Sequence, residues 1–238
     1  MLPPITIVIP AFNEAHRISE TLATVLEYLQ RETAESELIV VDDGSSDTTS
    51  EIVQSAFANS GRISTRLIRH SPNRGKGAAV RDGILAAKYP IALFSDADLS
   101  TPINETPKLI EPILRGDADI AIGSRALDRK LIGNRQPWRR EQGGRVFNLV
   151  VRLATGLPFW DTQCGFKAFR LEVCRSLFEQ SRVAGFGFDV ELLFLAQRAG
   201  LRMREIPVRW NHHDGSKVHF LRDSVAMLRE VISLRTIS

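Results

Sequence analysis

The sequence contains little cysteine and no long hydrophobic run. Cys164 and Cys174 are its only cysteines, which are too few for a disulfide framework; this favours a reducing compartment and leaves one bond between them open. No apolar run approaches the roughly 20 residues of a membrane span. The start, Met-Leu-Pro-Pro, lacks the basic and apolar regions of a signal peptide. We therefore expect a cytoplasmic protein without a membrane-spanning helix.

Neither sign of charge dominates the chain. Its 31 Lys and Arg residues and 28 Asp and Glu residues leave a net charge of +3 and a pI near 9.1, a mild preference for anionic partners that does not imply nucleic acid. The 43% hydrophobic content suffices for a core, and 16 Gly and 11 Pro without a period exclude low-complexity sequence. We expect one folded domain over residues 1–238.

Short β-branched runs alternate with segments of helical period up to about Gly123. Strands are predicted at Ile5–Ile9, Leu38–Val41, Ile63–Ile68, Ile91–Phe94 and Asp119–Ile122. Helices are predicted at Ile18–Gln30, Thr48–Ala58, Gly77–Ala87 and Pro102–Leu114. This order predicts an α/β fold, Rossmann-like, with a mostly parallel sheet flanked by helices and joined by right-handed crossovers.

The second half, residues 124–238, has a looser pattern. A basic loop or flap is predicted over Ala126–Arg140. It is followed by predicted helices at Gln142–Thr155, Leu171–Gln180 and Val190–Gly200, a strand at Met203–Val208 and a final helix at Leu221–Leu234. No linker separates this half from residues 1–123, so we expect it to wrap back over the sheet.

Polar turns follow three of the predicted strands, at Pro10–Glu14, Asp42–Ser45 and Ser95–Asp98. Each turn alone is explained by helix capping. Together they lie where open α/β sheets bind ligands, and clustered carboxylates repel unless a cation balances them. Asp96 and Asp98 are the candidate ligands of Mg²⁺ or Mn²⁺. A diphosphate would supply further oxygens, and the ion would then stabilise a departing nucleotide diphosphate.

The glycine-rich segment Asn73–Gly77 is neither a P-loop nor a dinucleotide fingerprint. Kinase and dehydrogenase functions are therefore not supported. Arg74 and Lys76 precede a predicted helix and are suited to a nucleotide phosphate, with a solvated helix start as the alternative.

Several segments resemble a known family. IVIPAFNEAHRI, VVDDGSSDTT, NRGKGAAVRDGI and FSDADLSTP, in this order, resemble the family 2 glycosyltransferases of GT-A fold. IAIGSRAL, DTQCGFKAFR, GFGFDVELLFLAQRAG and HHDGSKV resemble more narrowly the polyprenyl-phosphate sugar transferases, and within them the dolichyl-phosphate β-glucosyltransferases. The resemblance spans Ile5 to Val218.

The resemblance implies a site for a nucleotide-diphosphate sugar in residues 1–123 and an acceptor site in residues 124–238. The residues it assigns to the nucleotide sugar are Pro10, Phe12, Glu14, Asp42, Arg74, Gly75, Lys76, Asp96 and Ala97. Asp96 and Asp98 are assigned to the metal. Phe12 stands where many relatives carry Tyr, so it keeps a stacking face and loses a hydroxyl.

A lipid phosphate acceptor is anionic at neutral pH, so it needs cationic positioning more than a strong base. Guanidinium groups fit phosphate. The residues we assign to catalysis are Asp98, Ser124, Arg125, Asp161 and Lys217, and those assigned to the acceptor are Arg125, Arg139 and Lys167. Lys217 lies in a Gly-Ser-Lys loop that closes over the diphosphate in relatives.

Other polar residues of the second half keep two interpretations each. Asp189 or Glu191 faces the sugar by resemblance, or caps a helix. His212 and His213 are interpreted as solvated, with metal ligation as the alternative. The stripe of the predicted final helix, Leu221, Val225, Leu228 and Ile232, either packs on the sheet or contacts a membrane surface.

The sequence thus predicts an inverting, metal-dependent transferase that moves a hexose, glucose from UDP-glucose, to a polyprenyl phosphate while docked peripherally on the cytoplasmic face of a membrane. GDP-mannose as donor and a sugar hydroxyl as acceptor stay open. A sugar nucleotidyltransferase would need a glycine-rich basic loop after the first strand, which Pro10–Glu14 is not. An inactive binding module is disfavoured by the presence of Asp96 and Asp98.

Overall fold

The protein is built on one seven-stranded sheet that includes both halves of the chain. The structure, a computed structural model, describes residues 1–134 and 138–212 together with Met227 and Glu230. The strand order is β3-β2-β1-β4-β6-β5-β7. The strands are β1 (Thr6–Ala11), β2 (Glu37–Asp42), β3 (Ser64–Arg69), β4 (Ile91–Ser95), β5 (Ile120–Ser124), β6 (Phe166–Arg170) and β7 (Met203–Pro207).

Helices cover both faces of the sheet. They are α1 (Ile18–Glu32), α2 (Thr49–Phe57), α3 (Lys76–Leu85), α4 (Thr106–Leu114), α5 (Trp138–Thr155), α6 (Leu171–Gln180) and α7 (Phe188–Arg198). Successive side chains of a strand point to opposite faces. Val8 and Ile39 therefore belong to one apolar cluster with side chains of α3, α6 and α7, whereas Ile7 and Val40 belong to a second with side chains of α1, α2 and α4. The predicted α/β fold is confirmed.

The strand β6 was not predicted, and it runs against its neighbours. It pairs antiparallel with β4 on one side and with β5 on the other. Its sequence, Phe-Lys-Ala-Phe-Arg, carries a lysine at its second position, which breaks the apolar run that marks a buried strand. Because β6 is antiparallel, the residues that precede it lie at the carboxyl ends of β4 and β5.

Two parts of the predicted loop over Ala126–Arg140 are helical. A short 3-10 helix covers Arg129–Leu131, and α5 begins at Trp138 rather than at the predicted Gln142. The predicted final helix, Leu221–Leu234, lies outside the described residues except for Met227 and Glu230. Within the described part of the chain, no helix is long and apolar enough to cross a membrane.

Candidate active site

The polar turns after β1, β2 and β4 lie at one edge of the sheet, as the sequence predicts, and the end of β5 lies at the same edge. The four strands run in the same direction, because β1 pairs parallel with β2 and β4, and β4 and β5 both pair antiparallel with β6. The segment before β6 reaches the same edge. Residues of the two halves of the chain thus meet there.

Asp96 is held between a lysine and a glycine at the end of β4. Its Oδ1 lies 2.6 Å from Lys76 Nζ, and its backbone N–H donates to the carbonyl of Gly165. A Cβ on Gly165 would lie 1.9 Å from Asp96 Oδ2, so glycine leaves room for this carboxylate in its present position and any other residue would displace it. The close approach explains why a glycine immediately precedes β6.

Asp98 opens onto a surface groove of about 460 Å³ whose walls include Arg17 and Asn211. Its Oδ1 accepts a hydrogen bond of 2.9 Å from the backbone N–H of Ser100, which leaves the other carboxylate oxygen for a ligand. Among the described residues, no three His, Cys, Asp or Glu side chains group to hold a metal on their own. Asp96 and Asp98 therefore offer a partial set of hard oxygen ligands, suited to an ion that takes others from a diphosphate.

Lys76 brings a positive charge to this edge. Burial lowers the pKa of its amine, but Asp96 and Asp189 outweigh that effect and the pKa is raised. Its Nζ also lies 5.4 Å from the centroid of the Phe94 ring. The preceding Gly75 has φ +98, and a Cβ there would lie 2.3 Å from the carbonyl oxygen of Ala184. The glycine-rich segment thus places a charged ammonium beside the first carboxylate.

Asp43 shapes the glycine-rich segment, a role that sequence reasoning did not assign. Its carboxylate accepts hydrogen bonds from the backbone N–H groups of Arg74, at 2.9 Å, and Gly75, at 2.8 Å. It also contacts His70 Nδ1 at 2.7 Å. The Arg74 guanidinium itself bonds Asp82 at 2.7 Å. The segment therefore has a fixed shape that depends on the turn after β2.

The other residues assigned to the nucleotide lie at the same edge and differ in burial and in their partners. Asp42 is fully buried, and its oxygens accept from the Ser45 N–H in the turn and from Ser50 Oγ in α2. Phe12 is exposed and presents its ring to solvent. Glu14 pairs with Arg17 at 2.9 Å. Pro10, within β1, and Ala97 are buried. Contact of these residues with a nucleotide stays a prediction.

A second charged cluster lies across the edge, at the end of β5. Asp161 accepts hydrogen bonds from the Arg125 backbone N–H at 2.9 Å, from Nε at 2.7 Å and from Nη2 at 2.7 Å. Burial raises the pKa of the Asp161 carboxyl, but Arg125 outweighs it and the pKa is lowered. Burial likewise lowers the pKa of Arg125 and Asp161 more than compensates, so this pKa is raised. The pair stays ionised.

Glu205 of β7 supports this pair and was missed in the sequence. Ser124 Oγ donates to its Oε1 at 2.7 Å. The backbone N–H groups of Asp161, at 2.8 Å, and Trp160, at 3.0 Å, donate to the same carboxylate. The only signal in the sequence is an acid inside a predicted strand. The carboxylate joins the two signature segments that the resemblance placed in one site.

Lys167 lies beneath the edge rather than on it. It is 1% exposed, its Nζ lies 2.6 Å from Asp189 Oδ1, and it donates to the carbonyl of Cys164. Burial raises the pKa of Asp189, against the opposing effect of Lys167 and Lys76. In this arrangement Lys167 has its charge partner inside the protein, and contact with an acceptor stays a prediction.

Glu191 caps a neighbouring turn, because its carboxylate accepts from Ser181 Oγ and from the backbone N–H groups of Arg182 and Val183. Lys217 and His213 lie outside the described residues. The side chain of Arg139, on α5, also lies outside the described part. The backbone N–H of His212 donates to the carbonyl of Asn134.

The sequence is similar to those of known glycosyltransferases. The model of Glycosyl transferase family 2 matches residues 6–178. Dolichyl-phosphate beta-glucosyltransferase of Dictyostelium discoideum is 32% identical over 97% of this chain and 73% of its own length. The Drosophila melanogaster protein of the same name is 38% identical over 90% of this chain and 69% of its own. Dolichyl-phosphate beta-glucosyltransferase ALG5C of Trichomonas vaginalis is 39% identical, over 90% and 65%.

Solved structures show the same fold. Mycobacterium tuberculosis glucosyl-3-phosphoglycerate synthase in complex with Mn²⁺, UDP-glucose and glycerol 3-phosphate matches with a TM-score of 0.67 and 22% identity, over 97% of this chain and 78% of that one. Its complex with Mn²⁺, UDP and phosphoglyceric acid gives 0.68 and 22%, over 97% and 76%. The predicted fold and family are confirmed. The chain belongs to glycosyl transferase family 2 and is a glycosyltransferase of GT-A fold.

Proposed function

We propose that the protein transfers glucose from UDP-glucose to the phosphate of dolichol or a related polyprenol, with inversion at the anomeric carbon. The observation that carries this proposal is that two ion pairs, Arg125–Asp161 at the end of β5 and Lys76–Asp96 at the end of β4, lie at the same carboxyl edge of the sheet. The names of the relatives, at 32% to 39% identity, support the same acceptor and sugar.

The donor is bound on the side of β1, β2 and β4. Asp96 and Asp98 would hold Mg²⁺ or Mn²⁺, and the bound ion would supply Lewis-acid stabilisation of the leaving diphosphate. Lys76 adds a second positive charge beside them, and the exposed ring of Phe12 offers a stacking face to the base. The presence of Mn²⁺ and UDP-glucose in a structure of the same fold supports this choice.

The acceptor phosphate is bound by Arg125. Its Nε and Nη2 hold Asp161, which fixes the plane of the guanidinium and leaves Nη1 for a phosphate oxygen. The phosphate oxygen attacks the anomeric carbon, a carbon–oxygen bond forms, the bond to the diphosphate breaks and UDP leaves. A displacement in one step from the opposite face inverts the centre, and the anionic nucleophile needs no strong base. Lys217 is proposed to neutralise the leaving group.

The test is a transfer assay with radiolabelled UDP-glucose and GDP-mannose offered in parallel to a short polyprenyl phosphate in detergent, with Mg²⁺, Mn²⁺ or EDTA. We expect label in the lipid phase from UDP-glucose, a β-linked product by NMR, and no transfer in EDTA. Label in the lipid phase from GDP-mannose alone would identify GDP-mannose, and not UDP-glucose, as the donor.

The same assay offers two other acceptors, a free sugar and 3-phosphoglycerate. Transfer to either, with none to the lipid phosphate, would overturn the acceptor. We include 3-phosphoglycerate because the solved structures of this fold belong to a glucosyl-3-phosphoglycerate synthase. Because a polyprenyl phosphate is embedded in a bilayer, the proposal includes peripheral association with the cytoplasmic face of a membrane.

A further inference from the structure

Exposed apolar side chains are concentrated on one short stretch of the protein. Eight large apolar side chains of the described chain are highly exposed, and four of them lie within residues 146–160. These are Val146 (61% exposed), Leu149 (54%), Leu153 (74%) and Trp160 (57%). Soluble surfaces carry single apolar residues, whereas a contiguous group marks an interaction site.

Three of the four lie on one face of α5. Val146, Leu149 and Leu153 follow each other at spacings of three and four, which places them side by side. The opposite face of the helix carries Phe147 and Val151, which are buried in the core cluster of α3, α6 and α7. The helix is therefore anchored by one apolar face and exposes a second.

We propose that this surface, formed by Val146, Leu149, Leu153 and Trp160, docks the protein onto an anionic phospholipid bilayer. The charge of α5 favours this partner. The helix contains Arg139, Arg140, Arg145 and Arg152 and one acid, Glu141. Two copies of so basic a helix would repel each other, whereas an anionic leaflet attracts it.

The chemistry of the surface fits the bilayer interface. The Arg152 guanidinium lies 3.9 Å from the centroid of the Trp160 ring. Trp and Arg with aliphatic neighbours are the side chains that favour the headgroup level, since each has an apolar body and a polar end. The docking surface therefore offers both apolar insertion and headgroup contact.

The docking surface adjoins the candidate acceptor site. Trp160 directly precedes Asp161, whose carboxylate holds Arg125. Asn148 of α5 accepts hydrogen bonds from the Thr162 backbone N–H at 3.2 Å and from Thr162 Oγ1 at 2.9 Å. A protein docked by this face would bring Arg125 toward the headgroup layer. This placement rests on the proposed function, in which the acceptor is a lipid phosphate.

Vesicle flotation tests the docking surface. The probes are vesicles of phosphatidylcholine alone and with a quarter of phosphatidylglycerol, with the double variant Leu149→Glu/Leu153→Glu. The matched control is Leu114→Glu, because Leu114 is also 54% exposed and lies at the end of α4, near the opposite edge of the sheet. We expect binding of the wild type and the control to the anionic vesicles, and a loss of about tenfold or more in the double variant.

A second measurement separates docking from chemistry. With a short, water-soluble polyprenyl phosphate and no vesicles, we expect the double variant to transfer sugar at the wild-type rate, and with vesicle-embedded acceptor to lose it. Wild type that binds no vesicles, or a double variant that binds them as well as Leu114→Glu does, would overturn the proposal. A change from dimer to monomer in light scattering with vesicle binding intact would assign the face to a second copy instead.

The two proposals fail in different ways. Vesicle binding through α5 without transfer to any lipid phosphate would remove the proposed acceptor and keep the docking surface. Transfer to the soluble acceptor without vesicle binding would remove the docking surface and keep the proposed acceptor.

Discussion

The two ends of β5 carry the same kind of ion pair and differ in use. At the amino end, Asp119 accepts from Arg202 Nε at 3.1 Å and Nη2 at 2.9 Å, and from Arg170. At the carboxyl end, Asp161 accepts from Arg125 through two nitrogens at 2.7 Å. Both are forked arginine–carboxylate pairs.

The surroundings distinguish the two pairs. Asp119 joins Arg170 at the end of β6 to Arg202 before β7, so it holds three chain segments together. The Arg125 pair lies on the edge that collects the polar turns. An ion pair alone therefore does not mark a functional site, and the end of the strand at which it lies does.

The largest expected effect is on catalysis at the carboxyl edge. We expect Asp98→Asn to lower kcat by about a hundredfold to a thousandfold, because the variant weakens binding of the metal ion that would stabilise the charge of the leaving diphosphate. Its melting temperature should stay within about 3 °C of wild type, since Asp98 is partly exposed. Asp117→Asn, near the amino end of β5, is the control, and a near-normal rate in Asp98→Asn would contradict the metal assignment.

The next largest effect distinguishes binding of the acceptor from binding of the donor. We expect Arg125→Lys to raise the KM for the lipid phosphate by about tenfold or more, because lysine keeps the charge and loses the fork. The Kd for UDP, measured by calorimetry, should change by less than about twofold. Lysine also avoids leaving Asp161 buried without a cation. An equal loss of affinity for UDP would show that Arg125 binds the donor rather than the acceptor.

The ion pair of Asp119 at the amino end of β5 should affect stability in acid rather than the transfer reaction. Hydrogen bonds from Arg202, which outweigh the effect of burial, lower the pKa of Asp119 to about 2. A lowered pKa stabilises the folded state above the unfolded value of about 3.9. This stabilisation is lost as pH falls through about 2. We expect Asp119→Asn to flatten the decline in unfolding free energy between these pH values, with transfer at neutral pH retained. A variant whose unfolding free energy, measured by urea denaturation, falls with pH as steeply as that of the wild type would contradict this role.

The smallest effect concerns the two thiols, one toward each end of the sheet. Cys164 lies near Thr101 Oγ1, at 3.9 Å, and Cys174 donates to the carbonyl of Asp119 at 3.5 Å. Burial raises the pKa of each thiol to about 12. We expect negligible labelling of either by iodoacetamide at pH 8 until the protein unfolds. Rapid labelling of Cys164 alone would show that the carboxyl edge opens in solution.

The sequence predicted the polar turn after β4 better than the structure around β6 and β7, for a physical reason. Asp96 and Asp98 follow a strand whose first four residues, Ile91–Phe94, are all apolar, so the local pattern suffices. Strand β6 was missed because the charge of Lys167, its second residue, is neutralised by Asp189, 22 residues further on. Glu205 was missed likewise, because its partner Ser124 lies 81 residues away. Charges inside strands become interpretable only when their distant partners are known.

The contact between Gly165 and Asp96 has a consequence for how this sequence can vary. At Gly165 the segment between Asp161 and β6 passes the carboxylate of Asp96 with only a hydrogen atom in place of a side chain. A β-carbon at codon 165 would overlap that carboxylate, so Asp96 would have to rotate away from its present place beside Lys76. We expect a saturation library at that codon, selected for transfer, to return glycine far more often than any other residue, whereas the neighbouring codons accept alternatives. The close approach of these two segments is thus encoded by a missing side chain.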